Sequence, residues 1–220
     1  EKLLNEKPNF ASEIEKSMNE QGNTKSQEEI KEAANLGLKL ISNYDTQFIL
    51  GDPPNYEPGK EDSIAALAKS KGIAELEVIY DEFLKNEGTN LVYACFTPYD
   101  NHKLDFVERA YSLKSSVAGG SDGGAHCGLI CDASMPTTNL SHWARDREAG
   151  KKIPIELIVR KQTKDTAETY GLFDRGEIKT GMLADLNIID FEKLNVTHPK
   201  MVYDLPLGGR RLIQTSSGYL

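Results

Sequence analysis

The chain has 220 residues, 39% of them hydrophobic, enough to bury a sizeable core as one domain or as one domain with a small appendage. Its 26 Lys and Arg stand against 34 Asp and Glu, and the formal net charge of −8 argues against nucleic acid or an anionic membrane surface as a partner. The three cysteines cannot all pair within one chain and no apolar run approaches the roughly 18 residues of a membrane span, so a soluble protein of a reducing, cytoplasmic compartment is expected.

The opening "EKLLNEKPNF" has neither an apolar signal core nor an initiator Met, which reads as a cut chain. "SQEEIKEAANL" predicts a helix with Ser26 as its N-cap and acids in its first turn. "LGLKLI" and "TQFIL" predict short strands. "GDPPNYEPG", from Gly51 to Gly59, holds three prolines and two glycines and must be a loop. Beyond it, Ile64, Leu67 and Ala68, then Leu76, Ile79, Tyr80, Phe83 and Leu84, recur at helical steps, predicting two amphipathic helices broken at Gly72.

"LVYACF", a helix with Leu104, Val107 and Tyr111 on one face, and "SSVAG" at 115–119 read together as a βαβ unit, which is normally parallel. "TTNLSHWARDR" and "PIELIVRKQTKDTAETY" predict helices, the second opening at Pro154. "RGEIKTGMLADLNIID" alternates in the manner of a strand, and the pattern from Phe191 to Leu220 weakens into loop.

Between these elements lies "SVAGGSDGGAHCG", with five of the 18 glycines in thirteen residues around Asp122 and His126. Successive glycine N–H groups can cradle a phosphate, but the Lys and Ser or Thr that close a P-loop are absent and Asp122 would oppose the anion. "GGSDG" also fits a nucleophile elbow at Ser121, with Asp185 and His198 downstream, although the glycines and Pro136 that follow obstruct the helix an elbow requires. A third reading places Asp122 at the C-terminal end of a parallel strand, where (β/α)8 enzymes carry catalytic groups and a carboxylate can shuttle a proton between water and a leaving amine. A plain turn, with Asp122 bonded to nearby amides, is the fourth.

"GSDGGAHCGLICDASMPTTNLSHWARDR" resembles the loop after the eighth barrel strand in the amidohydrolase superfamily, and most nearly in its D-aminoacylases, the N-acyl-D-amino-acid deacylases. "FILGDPPNYEPGKEDSIAALAKSKG" and "YGLFDRGEIKTGMLADLNIID" are similar to two further segments of that family, in the same order. The resemblance implies an α/β fold: the C-terminal strand-helix units of a (β/α)8 barrel over residues 1–172, and part of a small β-domain over 173–220. It makes Asp122 the general base and a candidate metal ligand, Tyr56 a residue that holds the substrate carboxylate, and His126 a residue at the mouth of the site that orients substrate. Trp143 and its neighbours are expected to pack the eighth helix, and Lys60 and Arg145 to be solvated charges.

The implied reaction is metal-dependent deacylation of N-acyl-D-amino acids, with zinc in the complete enzyme and none held by this chain alone. A cyclic-amide or urea-type hydrolase and a non-catalytic scaffold are the alternatives. The family's His-x-His pair is absent from the sequence, and a full barrel takes about 250 residues. The chain is therefore expected to be an inactive fragment completed by the missing barrel half or by another copy of itself.

Overall fold

A computed structural model describes residues 42–95, 99, 102–120, 128 and 134–220. The predicted helix after Ser26 and the strand "LGLKLI" lie outside them, as do Ser121, Asp122, His126, Cys127 and Cys131. The architecture is mixed α/β, with no closed barrel among the described residues.

Strand β1 (Gln47–Leu50) pairs with β2 (Leu91–Ala94), Phe48 opposite Tyr93 and Leu50 opposite Leu91. Between them run two helices, α1 (Ile64–Lys71) and α2 (Glu75–Phe83). The Ser63 hydroxyl caps α1 by accepting the Ala66 N–H at 3.1 Å, and Gly72 ends it in the left-handed conformation at φ +69, where a side chain would be strained. The break at Gly72 is the one the sequence predicts. A small core forms where Ile64 and Ala68 meet Val78, with Ile49, Leu67 and Ile79 packed around it. Of the predicted apolar face of α2, Ile79 packs against the core while Leu76, Tyr80, Phe83 and Leu84 remain exposed; the residue buried from this helix is instead Val78.

Helix α3 (Asp105–Ser112) follows, then a short α4 (Met135–Thr138) that widens into a π-helix over Asn139–Asp146. The wide turn closes with the Arg147 N–H donating to the His142 carbonyl at 2.8 Å, five residues back. Helix α5 (Ile155–Gln162) starts directly after Pro154, and α6 (Lys164–Thr169) is set off from it by Thr163, whose φ −119 and ψ −87 break the predicted single helix in two. The larger core gathers Leu140, Trp143, Ile153, Ile158 and Leu194. Leu104, Val107 and Tyr111 pack onto it from α3, as their shared face predicts, and Trp143 is buried as expected.

Three sequence expectations are corrected. First, residues 115–119 form no strand, so the βαβ unit predicted over 91–119 is not completed; its first strand, β2, pairs antiparallel with β1 instead. Second, the alternating 175–190 segment makes a single bridge, Ile189 to Tyr219, and leaves Ile178, Leu183, Leu186 and Ile188 exposed, because no described strand lies along it to complete a ladder. Third, the stretch read as loop after Phe191 holds two antiparallel pairs: β3 (Asn195–Val196) with β6 (Ser216–Ser217), and the hairpin of β4 (Lys200–Leu205) with β5 (Gly209–Ile213). The "PLGG" turn, with Gly208 at φ +72, joins the two strands of that hairpin.

Candidate functional site

The proline-rich loop after β1 lies over the π-helix, and the two enclose a cleft of about 850 Å³. From the loop come Tyr56, Glu57 and Lys60; from the π-helix and the turn before it come Thr138, Ser141, His142 and Asp146; His102 and Lys103 line it ahead of α3. A loop with three prolines is pre-bent and loses little entropy on ordering, which suits it to roof a cleft.

Beneath the loop lies a buried ion pair. The Arg147 side chain is 0% exposed and the Glu57 side chain 1%. Arg147 donates from Nε to Glu57 Oε2 at 2.9 Å and from Nη2 to Oε1 at 2.8 Å, a two-pronged geometry that only guanidinium offers. Its other donors reach Asp105 Oδ1 at 2.8 Å and the Lys151 carbonyl at 2.7 Å, and its Cζ lies 4.7 Å from the centre of the Trp143 ring. Glu57 also accepts the Leu104 N–H at 3.0 Å and a hydrogen bond from His142 Nε2 at 3.1 Å. Burial pushes the Glu57 carboxyl upward, but hydrogen bonds from Arg147, His142 and Leu104, together with the Arg147 charge, outweigh it and hold the group at about 2. The pair thus bolts the roof loop to the π-helix and to the start of α3.

Tyr56, the neighbour of Glu57, is half-buried in the cleft wall. Its hydroxyl accepts the Gln214 side-chain N–H at 2.7 Å, and its ring meets Tyr93 edge-on with centroids 5.4 Å apart. Gln214 donates to the Thr197 carbonyl at 2.7 Å and accepts from the Ser134 hydroxyl. Ser134 follows the glycine-rich segment in the chain, so one amide side chain joins that exit, the C-terminal strands and the Tyr56 ring. Of the three site residues inferred from the sequence, Tyr56 alone falls among the described residues; Asp122 and His126 lie outside them.

Two further cationic groups are structural. Arg145, expected to be solvated, clasps the turn before β3, donating to the carbonyls of Phe191, Glu192 and Leu194 while pairing with Asp146. Lys161 is 3% exposed and donates to the carbonyls of Leu113 and Ser116, directly ahead of the glycine-rich segment. Burial raises the Cys95 thiol, which disfavours its reactive thiolate.

A family model, described as the amidohydrolase family, matches residues 53–213, from the cleft's roof loop to the last residue of β5. The chain belongs to the amidohydrolase family. No match was found among curated proteins or among solved structures. Hydrolysis is the general activity of this amidohydrolase family, and its members usually hold metal. Among the described residues no group of three or more His, Cys, Asp or Glu stands close enough to hold a metal ion, so these residues by themselves do not fit one. Nor is any described helix long and apolar enough to cross a membrane.

Glu57, Arg147 and Gln214 were missed at the level of sequence. An acid set between two prolines and the charged run "ARDR" at a helix end were the available signals, but their partner lies 90 residues away and no local pattern couples them.

Proposed function

We propose that the protein to which this amidohydrolase chain belongs deacylates N-acyl-D-amino acids, with Asp122 as the group that moves the proton. The support is the glycine-rich segment around Asp122, resembling that of the D-aminoacylases, within a family match that runs through it on both sides. The carboxylate takes a proton from the water that attacks the amide carbonyl, then delivers it to the departing amine nitrogen as the C–N bond breaks, giving a carboxylate and a free amino acid. Tyr56, on the wall of the cleft and held by Gln214, contacts the substrate carboxylate, and His126 orients the acyl amino acid at the entrance. Zinc, when bound, supplies Lewis-acid activation of water. By the resemblance, its remaining ligands and the other barrel strands come from parts of a longer polypeptide or from a second copy, and the 220-residue chain alone is inactive.

The test is the full-length protein assayed with N-acetyl-D-glutamate and, separately, with a hydantoin. Release of acetate is expected from the first, and Asp122→Asn should lower kcat by at least about 100-fold. Turnover of the hydantoin alone would move the assignment to the cyclic-amide hydrolases. An Asp122→Asn variant with undiminished kcat would refute the role given to that carboxylate.

A further inference from the structure

The cleft carries an imidazole whose tautomer is set by its surroundings. Glu57 is bonded to Arg147 through both oxygens and accepts the Leu104 N–H, so it meets His142 as an ionised acceptor. The contact at 3.1 Å therefore has His142 Nε2 as the donor. In the neutral ring this leaves Nδ1 as the acceptor, and among the described residues no donor reaches it. The side chain is 21% exposed and lines the cleft. Its ring meets Trp143 edge-on at 5.3 Å, and Trp143 in turn lies against the Arg147 guanidinium, so the imidazole is braced on two sides.

An unpaired acceptor on a side chain that lines a ligand-sized cleft suits a ligand that brings a donor. Its charged neighbours balance: Lys60 and Lys103 stand against Glu61 and Glu148, while Glu57 and Asp146 are already paired with arginines. The complementary group is thus a polar N–H on a small ligand rather than a cation.

We propose that His142, oriented by Glu57, is a substrate-contacting residue whose Nδ1 accepts a hydrogen bond from the amide N–H of the ligand in the cleft. The choice of an N-acyl amino acid as that ligand rests on the function proposed above. The contact selects amides over esters, because an ester that fills the cleft displaces water from Nδ1 and has no N–H to offer in its place.

The test compares binding of N-acetyl-D-glutamate with that of its ester analogue, in which oxygen replaces the amide N–H, by calorimetry on full-length Asp122→Asn protein to prevent turnover. With His142 intact, the amide should bind about 10-fold or more tightly than the ester. His142→Phe should bind the two equally, and His142→Gln, which keeps a donor for Glu57 and an acceptor for the ligand, should recover part of the preference. A preference that survives in His142→Phe, or that is absent when His142 is present, overturns the proposal. Should His142→Phe fail to fold, ring 15N spectra of the unsubstituted protein decide: the Nδ1 resonance should move on adding the amide and stay on adding the ester, and equal response overturns the contact. The two readings fail separately. Hydrolysis with an unchanged preference in His142→Phe removes only the His142 contact, whereas a His142-dependent preference without hydrolysis removes only the deacylase.

Discussion

Replacing Glu57 with glutamine probes the bolt under the cleft. Glutamine matches glutamate in size, but Glu57→Gln removes the charge and replaces one of two accepting oxygens with an NH2 that faces donors. Arg147 would keep Asp105 and the Lys151 carbonyl but lose the buried carboxylate that meets it at 2.8 and 2.9 Å. Two independent lines give the magnitude. The carboxyl falls from an ordinary 4.5 to about 2, and at ~1.4 kcal/mol per pH unit that is about 3 kcal/mol. Breaking a buried ion pair from one side costs about 3–5 kcal/mol. Because the folded-state value is the depressed one, this stabilisation is fully present above pH 4.5 and is lost as the pH falls toward 2. Chemical denaturation of both proteins from pH 7 downward should show a gap of about 3 kcal/mol at neutral pH that closes through that window. A gap under about 1 kcal/mol at pH 7, or one that does not shrink with acid, would refute the account of the pair.

Lys161→Met keeps most of the buried stem but withdraws the donor from the Leu113 and Ser116 carbonyls; a loss of about 1–3 kcal/mol is expected, with faster amide exchange over 113–120, and unchanged exchange there would count against the clamp. Gly218→Ala should cost far more than Gly72→Ala in thermal denaturation, although both glycines have positive φ. A Cβ at 218 would stand 2.6 Å from the Leu194 Cα and 2.8 Å from its nitrogen, backbone that cannot give way without parting β3 from β6, whereas at 72 nothing lies within 4 Å and only the left-handed cost of about 1–2 kcal/mol applies. Equal melting temperatures for the two variants would contradict the close packing at Leu194.

What could be read along the chain was local. Helix α1 with its Ser63 cap and Gly72 stop, the α3 face of Leu104, Val107 and Tyr111, and the irregular proline-rich loop all follow from neighbours within a few residues, whose periodicity and backbone preferences act whatever the rest of the chain does. The family was legible for a similar reason: glycine spacing around Asp122 and the flanking motifs are matters of order in sequence, and the family match covers them. The shape of the site was not. Strand alternation over 175–190 went unrealised because a ladder requires a partner strand, and the β4–β5 hairpin was not legible because its turn chemistry sits within a weak polar pattern.

Tertiary structure alone decided that Glu57, Arg147 and His142 meet. Their pairing spans 85 to 90 residues, and its strength comes from exclusion of water on both sides of the carboxylate. Composition shows that the charges exist; only the packed chain sets how far they lie from solvent and from one another, and Coulomb energy depends on both.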